Sequence, residues 1–120
     1  MSDHAAVIDR YFAVWNETDA ARRRDLIAQT WTEDAAYIDP LMEGVGHAGI
    51  DAMVGGVQAQ FPGHIFRLTS AVDAHHDRVR FVWELVPENG ATLVKGTDFG
   101  VIVGDRLQSV TGFLDQAPQL

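Results

Sequence analysis

The residues of this chain best suited to move a proton are two aspartates and a tyrosine. Asp98 stands in a strand-like run, Thr92 to Val103, where alternation puts Val94, Gly96, Asp98, Gly100 and Ile102 on one side. A carboxylate on that otherwise apolar face is out of place, because β-propensity disfavours aspartate and burial without a partner is costly. Glycine inside a strand weakens it unless another group approaches closely or the strand bends. Asp98 therefore either faces a site, lies on an exposed face or satisfies a neighbouring turn. Asp39 directly precedes Pro40, beside a loop containing Gly44 and Gly46, where it could reach a ligand from a pocket rim. Asp-Pro is equally an ordinary turn starter. Tyr11 shares a helical stripe with Val7, Ile8, Phe12 and Trp15, which fits a core tyrosine as well as a proton donor.

The elements that must position these residues fall into two halves. An amphipathic helix carries the Tyr11 stripe, with Ser2 available as its cap, and Asn16 to Asp19 breaks it. A second helix presents Leu26, Ile27, Thr30 and Trp31, and Thr32 to Asp34 closes the helical hairpin. Ala35 to Asp39 reads as a short strand ended by Pro40, which cannot donate to a sheet. After the Leu41 to Ala48 loop, a third helix places Ile50, Met53, Val54, Val57 and Phe61 on one face and stops at Pro62-Gly63. Gly55 and Gly56 lower its intrinsic stability, so packing must hold it. The period then changes to two, in runs over His64 to Asp73, Arg78 to Val86, Thr92 to Val103 and Arg106 to Leu114, joined by turns of hairpin length. Helices followed by an antiparallel meander make an α+β chain with the helices on one face of the sheet. In Arg78 to Val86, alternation turns Phe81, Trp83 and Leu85 toward the helices and Arg78, Arg80, Val82 and Glu84 away.

A length of 120 residues suits one domain, 1–120, and excludes two ordinary ones. The charge of −8 disfavours nucleic acid and anionic membranes as partners. Arg22, Arg23 and Arg24 spread around a helix and read as a solvated surface. With no cysteine, thiolate chemistry and disulfides are absent. The five histidines, His4, His47, His64, His75 and His76, lack ligand spacing, so no metal is expected; His47, near Asp39, is a pocket-rim candidate. The start does not read as a signal peptide, and a cytoplasmic location is the expectation.

The order of elements, with Arg10-Tyr11-Phe12, the stretch Thr32-Glu33-Asp34-Ala35-Ala36-Tyr37-Ile38-Asp39-Pro40, the glycine-containing approach to Ile50 and Thr97-Asp98-Phe99, resembles the nuclear transport factor 2-like superfamily. Within it the chain is most similar to SnoaL-like and ketosteroid isomerase-like proteins. The resemblance covers nearly the whole chain. It implies a cone-shaped α+β roll, in which a curved antiparallel or mixed sheet and three N-terminal helices enclose an apolar pocket. Tyr11, Asp39 and Asp98 look like the isomerase tyrosine, base and strand aspartate. By that resemblance Asp39 moves a proton beside a conjugated carbonyl while Tyr11 and a protonated Asp98 donate to the enolate oxygen, the scheme for which ketosteroid isomerase is the standard illustration. The SnoaL-like cyclases imply instead an aldol closure using Asp98. The limonene epoxide hydrolase-like scheme needs an arginine that Arg80, on the opposite face, does not supply. Phe81, Trp83, Leu85, Phe113, Trp15, Val57 and His47 are the expected substrate-binding residues. The expected ligand is a small apolar molecule, with no cofactor, and a homodimer through the sheet is implied. A non-catalytic ligand- or protein-binding module on the same fold remains the alternative.

Overall fold

A computed structural model describes residues 3–118. The elements run α1 (His4–Asn16), α2 (Ala20–Thr30), β1 (Trp31–Ile38), β2 (Glu43–Val45), α3 (Gly46–Gln60), β3 (Ile65–Leu68), β4 (Asp73–His75), β5 (Arg78–Val86), β6 (Val94–Val103) and β7 (Arg106–Gln116). Both leading helices begin on an aspartate. Asp3 accepts from the Ala6 amide at 3.1 Å and Asp19 from the Arg22 amide at 2.9 Å, each satisfying one of the orphan N–H groups of a first turn. Ser2, the expected cap of the first helix, lies outside the described residues.

One seven-stranded sheet has the order β2-β1-β7-β6-β5-β3, with β4 paired to β5. All pairings are antiparallel except β1 with β7, which is parallel. The sheet is thus mixed and no simple meander. β7, the last of the described strands, joins β1 to the β5-β6 hairpin. Three further differences from the sequence reading have local causes. β1 starts at Trp31, directly after α2, and its register against β7 shifts between Trp31 and Ala36, so the clean alternation begins only at Ala35. The loop after Pro40 contains β2, whose Val45 pairs with Ala36. The run after His64 is two strands, because Ser70 turns its hydroxyl onto the Val82 amide and breaks the ladder.

The helices cover one face of the sheet. Val7, Ile8, Tyr11, Val14 and Trp15 of α1, Ile27 of α2 and Ile50, Val54 and Val57 of α3 are buried against Val79, Phe81, Trp83, Leu85, Leu107 and Val110. Arg23, expected at the surface, is buried: its Nε donates to Asp51 at 2.7 Å and its Nη1 to Gln58 at 2.8 Å and to the Glu17 carbonyl at 3.2 Å, pinning α2 to α3. Gly55 leaves the room for this guanidinium, with Nη2 3.3 Å from where a Cβ would sit. On the other sheet face Phe99 and Phe113 are exposed and meet edge to face at 5.9 Å.

Candidate functional site

The helices and the sheet enclose a cavity of about 670 Å³. Tyr11, Trp15, Asp39, Val57, Trp83, Leu85 and Asp98 all line it, so the three acid–base candidates share one concave space with four of the expected wall residues. Three others do not. Phe81 is buried beneath the cavity against Tyr11 and Phe12, at ring distances of 5.3 and 5.7 Å. His47 turns its Nε2 to the Trp31 carbonyl at 2.8 Å. Phe113 lies on the outer face, 53% exposed, and the reason is parity: Val110, Gly112 and Leu114 point inward, so Thr111, Phe113 and Asp115 point out.

Asp98 is 1% exposed, and both its oxygens accept hydrogen bonds. The Tyr11 hydroxyl donates to Oδ2 at 2.7 Å and the Trp83 Nε1–H to Oδ1 at 2.9 Å. Gly96 makes the second bond possible. It pairs with Trp83 across β5 and β6, and a Cβ there would stand 2.2 Å from the indole Cζ2, so only glycine lets the ring lie on the strand and aim its N–H at the next inward residue. Burial raises the Asp98 carboxyl from 3.8 to about 6; the bonds from Tyr11 and Trp83 oppose that rise, and the negative Asp39 adds to it. Burial, then the Asp98 charge, pushes the Tyr11 phenol well up, so its hydroxyl stays protonated at neutral pH.

An indole N–H can only donate. Oδ1 is thus held as an acceptor, and the Tyr11 hydroxyl, which can accept as well as donate, favours Oδ2 as the seat of a proton on Asp98. Trp83→Phe removes this constraint and one donor to the carboxylate. The Asp98 titration followed by carboxyl-carbon NMR is then expected to move above about 6, and an unmoved titration would show that the indole does not orient the acid.

A second cluster stands beside the first. Asp39 follows β1, half-buried, in the same inward parity as Tyr37. Its Oδ2 accepts from the Tyr37 hydroxyl at 2.6 Å, and its Oδ1 from the Leu41 and Met42 amides at 2.8 and 3.0 Å. Asp39 is thus both a turn starter and a cavity residue. Burial, then the Asp98 charge, pushes the Tyr37 phenol upward. The clusters converge over Gly112, which pairs with Asp98 in the β6-β7 ladder. A Cβ on Gly112 would lie 2.9 Å from Asp98 Oδ1, 3.2 Å from the Asp39 Cβ and 3.2 Å from the Tyr37 hydroxyl. Tyr37 and Gly112 escaped the sequence reading, although Tyr37 lies two residues before Asp39 and Gly112 falls among the inward positions of its strand.

The rest of the lining is apolar. On α3 the small residues Gly49, Ala52 and Gly56 face the cavity beside Met53 and Val57, which keeps it open, and Phe12, Phe61, Phe66 and Leu114 complete much of the wall. Among the described residues no group of histidine and acidic side chains is arranged to hold a metal ion, and no helix is long and apolar enough to cross a membrane.

Comparison with known proteins agrees with this architecture. The SnoaL-like domain model matches residues 8–110. A crystal structure from Agrobacterium tumefaciens, provisionally described as an isomerase of the SnoaL-like family, superposes with a TM-score of 0.91 at 40% identity, covering 97% of this chain and 100% of that one. More distant similarity joins a Kribbella flavida protein provisionally described as a ketosteroid isomerase, with a TM-score of 0.70 at 20% identity over 96% of this chain and 79% of that one. A protein from Jannaschia provisionally described as a SnoaL-like polyketide cyclase has the same TM-score at 17% identity, over 92% and 86% of the two chains. These two show the fold alone. No curated protein matches the sequence. The matched domain, the 40% identity over the full length and the helix-covered mixed sheet establish that the chain belongs to the SnoaL-like family of the nuclear transport factor 2-like fold.

Proposed function

We propose that the cavity carries out enolate-forming proton transfer on a small apolar carbonyl compound, with Asp98 as the base. The observation that carries this reading is a buried carboxylate on an apolar cavity, poised near neutrality, with a tyrosine hydroxyl on the oxygen best placed to take the proton. Asp98 removes a proton from the carbon next to the carbonyl. The C–H electron pair becomes the enolate double bond, the carbonyl π pair moves to oxygen, and the proton settles on Oδ2. That new O–H can donate to the Tyr11 oxygen, which frees the Tyr11 hydroxyl to turn toward the enolate oxygen. Return of the proton to a different conjugated carbon completes an isomerisation; attack of the enolate carbon on a second carbonyl of the same molecule completes an aldol closure. The first step is common to both.

The reverse assignment, Asp39 as base with Tyr11 and a neutral Asp98 as donors, is favoured by the position of Asp39 in the same cavity, facing Asp98 across Gly112. Against it, Asp39 is held by three donors, two of them backbone amides of its own turn, whereas two side-chain donors reach Asp98. The pH dependence of kcat for a β,γ-unsaturated ketone separates the two by sign. An Asp98 base gives a rate that climbs through about pH 6 to a plateau, whereas a neutral Asp98 donor gives a rate that falls as pH rises through about 6. Asp39→Asn is expected to cost less than ~10-fold under the first assignment and ~10²-fold or more under the second. Absence of turnover for any enolisable ketone that binds the cavity would leave a binding module. The same reading includes a homodimer through the outer sheet face, where Phe99 and Phe113 stand exposed.

A further inference from the structure

The cavity has an electrostatic asymmetry that proton transfer does not explain. Asp39, Glu43 and Asp98 line it, and among the described residues no lysine, arginine or histidine does. The cations that form ion pairs, Arg23, Arg67, Arg78, Arg80, Lys95 and Arg106, serve acids elsewhere: Asp51, Glu84, Asp77, Asp73 and Glu33. Asp98, when ionised, is a buried anion with two neutral donors and no counter-ion, a state that hydrogen bonds offset only in part.

The wall beside these acids is aromatic and continuous. Tyr37 meets Trp15 at 5.6 Å, Trp15 meets Phe66 at 5.0 Å and Phe66 meets Trp83 at 5.4 Å, all four lining the cavity. Each end of the arc is tied to a carboxylate, Tyr37 to Asp39 and Trp83 to Asp98. Aromatic faces carry negative potential and attract a cation, the more so where water is excluded. Electron-rich rings lining a cavity beside carboxylates with no counter-ion suit a cation with an apolar coat, and the same charges repel a carboxylate, phosphate or sulfate on any ligand.

We propose that the cavity takes a hydrophobic amine in its cationic form, its tertiary or quaternary ammonium held between Asp39 and Asp98 and walled by Tyr37, Trp15, Phe66 and Trp83. The inference goes beyond the proton-transfer reading, since it concerns the charge of what is bound and stands whether or not a proton is moved. The two meet in a substrate that carries both a carbonyl and an ammonium group.

The test compares three probes of one size at pH 8 and about 0.15 M salt, where surface attraction is screened: benzyltrimethylammonium, its uncharged carbon isostere neopentylbenzene, and the anion 3-phenylpropanoate. Affinity is read by calorimetry and location by the NMR shift of the Trp83 and Trp15 indole N–H groups. The ammonium is expected to bind at least ~10-fold tighter than the isostere, the anion weakest of the three, and both indole signals to move. Asp98→Asn and Asp39→Asn, made separately, are each expected to shrink the preference of ammonium over isostere severalfold while the isostere binds as before. Equal affinity for ammonium and isostere overturns the proposal, as does an ammonium preference that neither substitution changes or that leaves the indole signals still. Ketone turnover measured on the same preparations keeps the two readings apart. Turnover that depends on Asp98 with no ammonium preference sinks this inference alone, and the converse sinks proton transfer alone.

Discussion

Asp98→Asn is expected to abolish turnover and, in the same molecule, to raise stability. The loss of the base should lower kcat by ~10²-fold to ~10⁴-fold. Stability moves the other way because the folded carboxyl titrates at about 6 against 3.8 for the free group. A folded value above the unfolded one favours the native state while the acid is protonated, and that contribution is lost as pH rises through about 6. By pH 7 the ionised Asp98 has cost the fold on the order of 3 kcal/mol relative to an acid with no shift. Asparagine is neutral throughout, keeps a carbonyl for the Trp83 N–H and offers an amide to the Tyr11 oxygen. Urea denaturation is therefore expected to show the variant more stable above pH 6, with the gap closing toward pH 4. Parallel stability curves for the two proteins would mean that Asp98 is not desolvated, and the base assignment would lose its physical ground.

Gly96→Ala is the substitution expected to damage the fold most for the fewest atoms. The added methyl would stand 2.2 and 2.4 Å from the Trp83 ring carbons Cζ2 and Cε2 and 2.9 Å from the Phe113 carbonyl oxygen. Ring and backbone oppose it on two sides, so the expected cost is at or above the ~3 kcal/mol that ends the usual range for overpacking. Gly100→Ala meets instead the methyl ends of Val79 and Leu107 at 2.9 and 3.0 Å, which can rotate away, and is expected to cost less. A displaced indole no longer reaches Asp98, so the Trp83 N–H resonance should move toward its solvent position along with the drop in denaturation midpoint. A stable Gly96→Ala protein with that resonance unmoved would contradict the close stacking of ring on strand.

The inward face of β6 was legible from alternation alone, and with it the anomaly of an acid flanked by glycines. What alternation could not supply was the reason for the glycines, because Gly96 answers to the bulk of Trp83 on a neighbouring strand and Gly100 to Val79 and Leu107. Family resemblance singled out Tyr11, Asp39 and Asp98 together, and all three line the cavity. The division of roles among them did not follow, since it depends on which oxygens accept from whom. Phe113 shares its parity with the buried Leu107, and only the register shift between Val101 and Ile102, which skips Gln108, turns the later odd positions of β7 outward. Arg23 was hidden for a related reason: three consecutive arginines look alike in sequence, and only the approach of α3, with Gly55 and Asp51, selects the middle one for burial. The parallel β1-β7 pairing joins segments too far apart for any local signal to reveal.

That pairing also sets an order of events during synthesis. β7 is the last made of the described strands, yet it is the seam between the N-terminal β1-β2 pair and the β5-β6 hairpin. Until its residues leave the ribosome, Tyr37 has no Val110 beside it and Asp98 no Gly112, and the helices have only fragments of a sheet to cover. Hairpins can form early because their contacts are local, but closing the sheet must await this long-range strand and bear its loop-closure entropy. Tyr11 from the first helix and Asp98 from β6 become one site only once β7 has been made. A chain released short of Arg106 holds every proton-transfer residue named here and still has no β7 to join β1 to β6, with the apolar faces meant for β7 left open to unwanted partners.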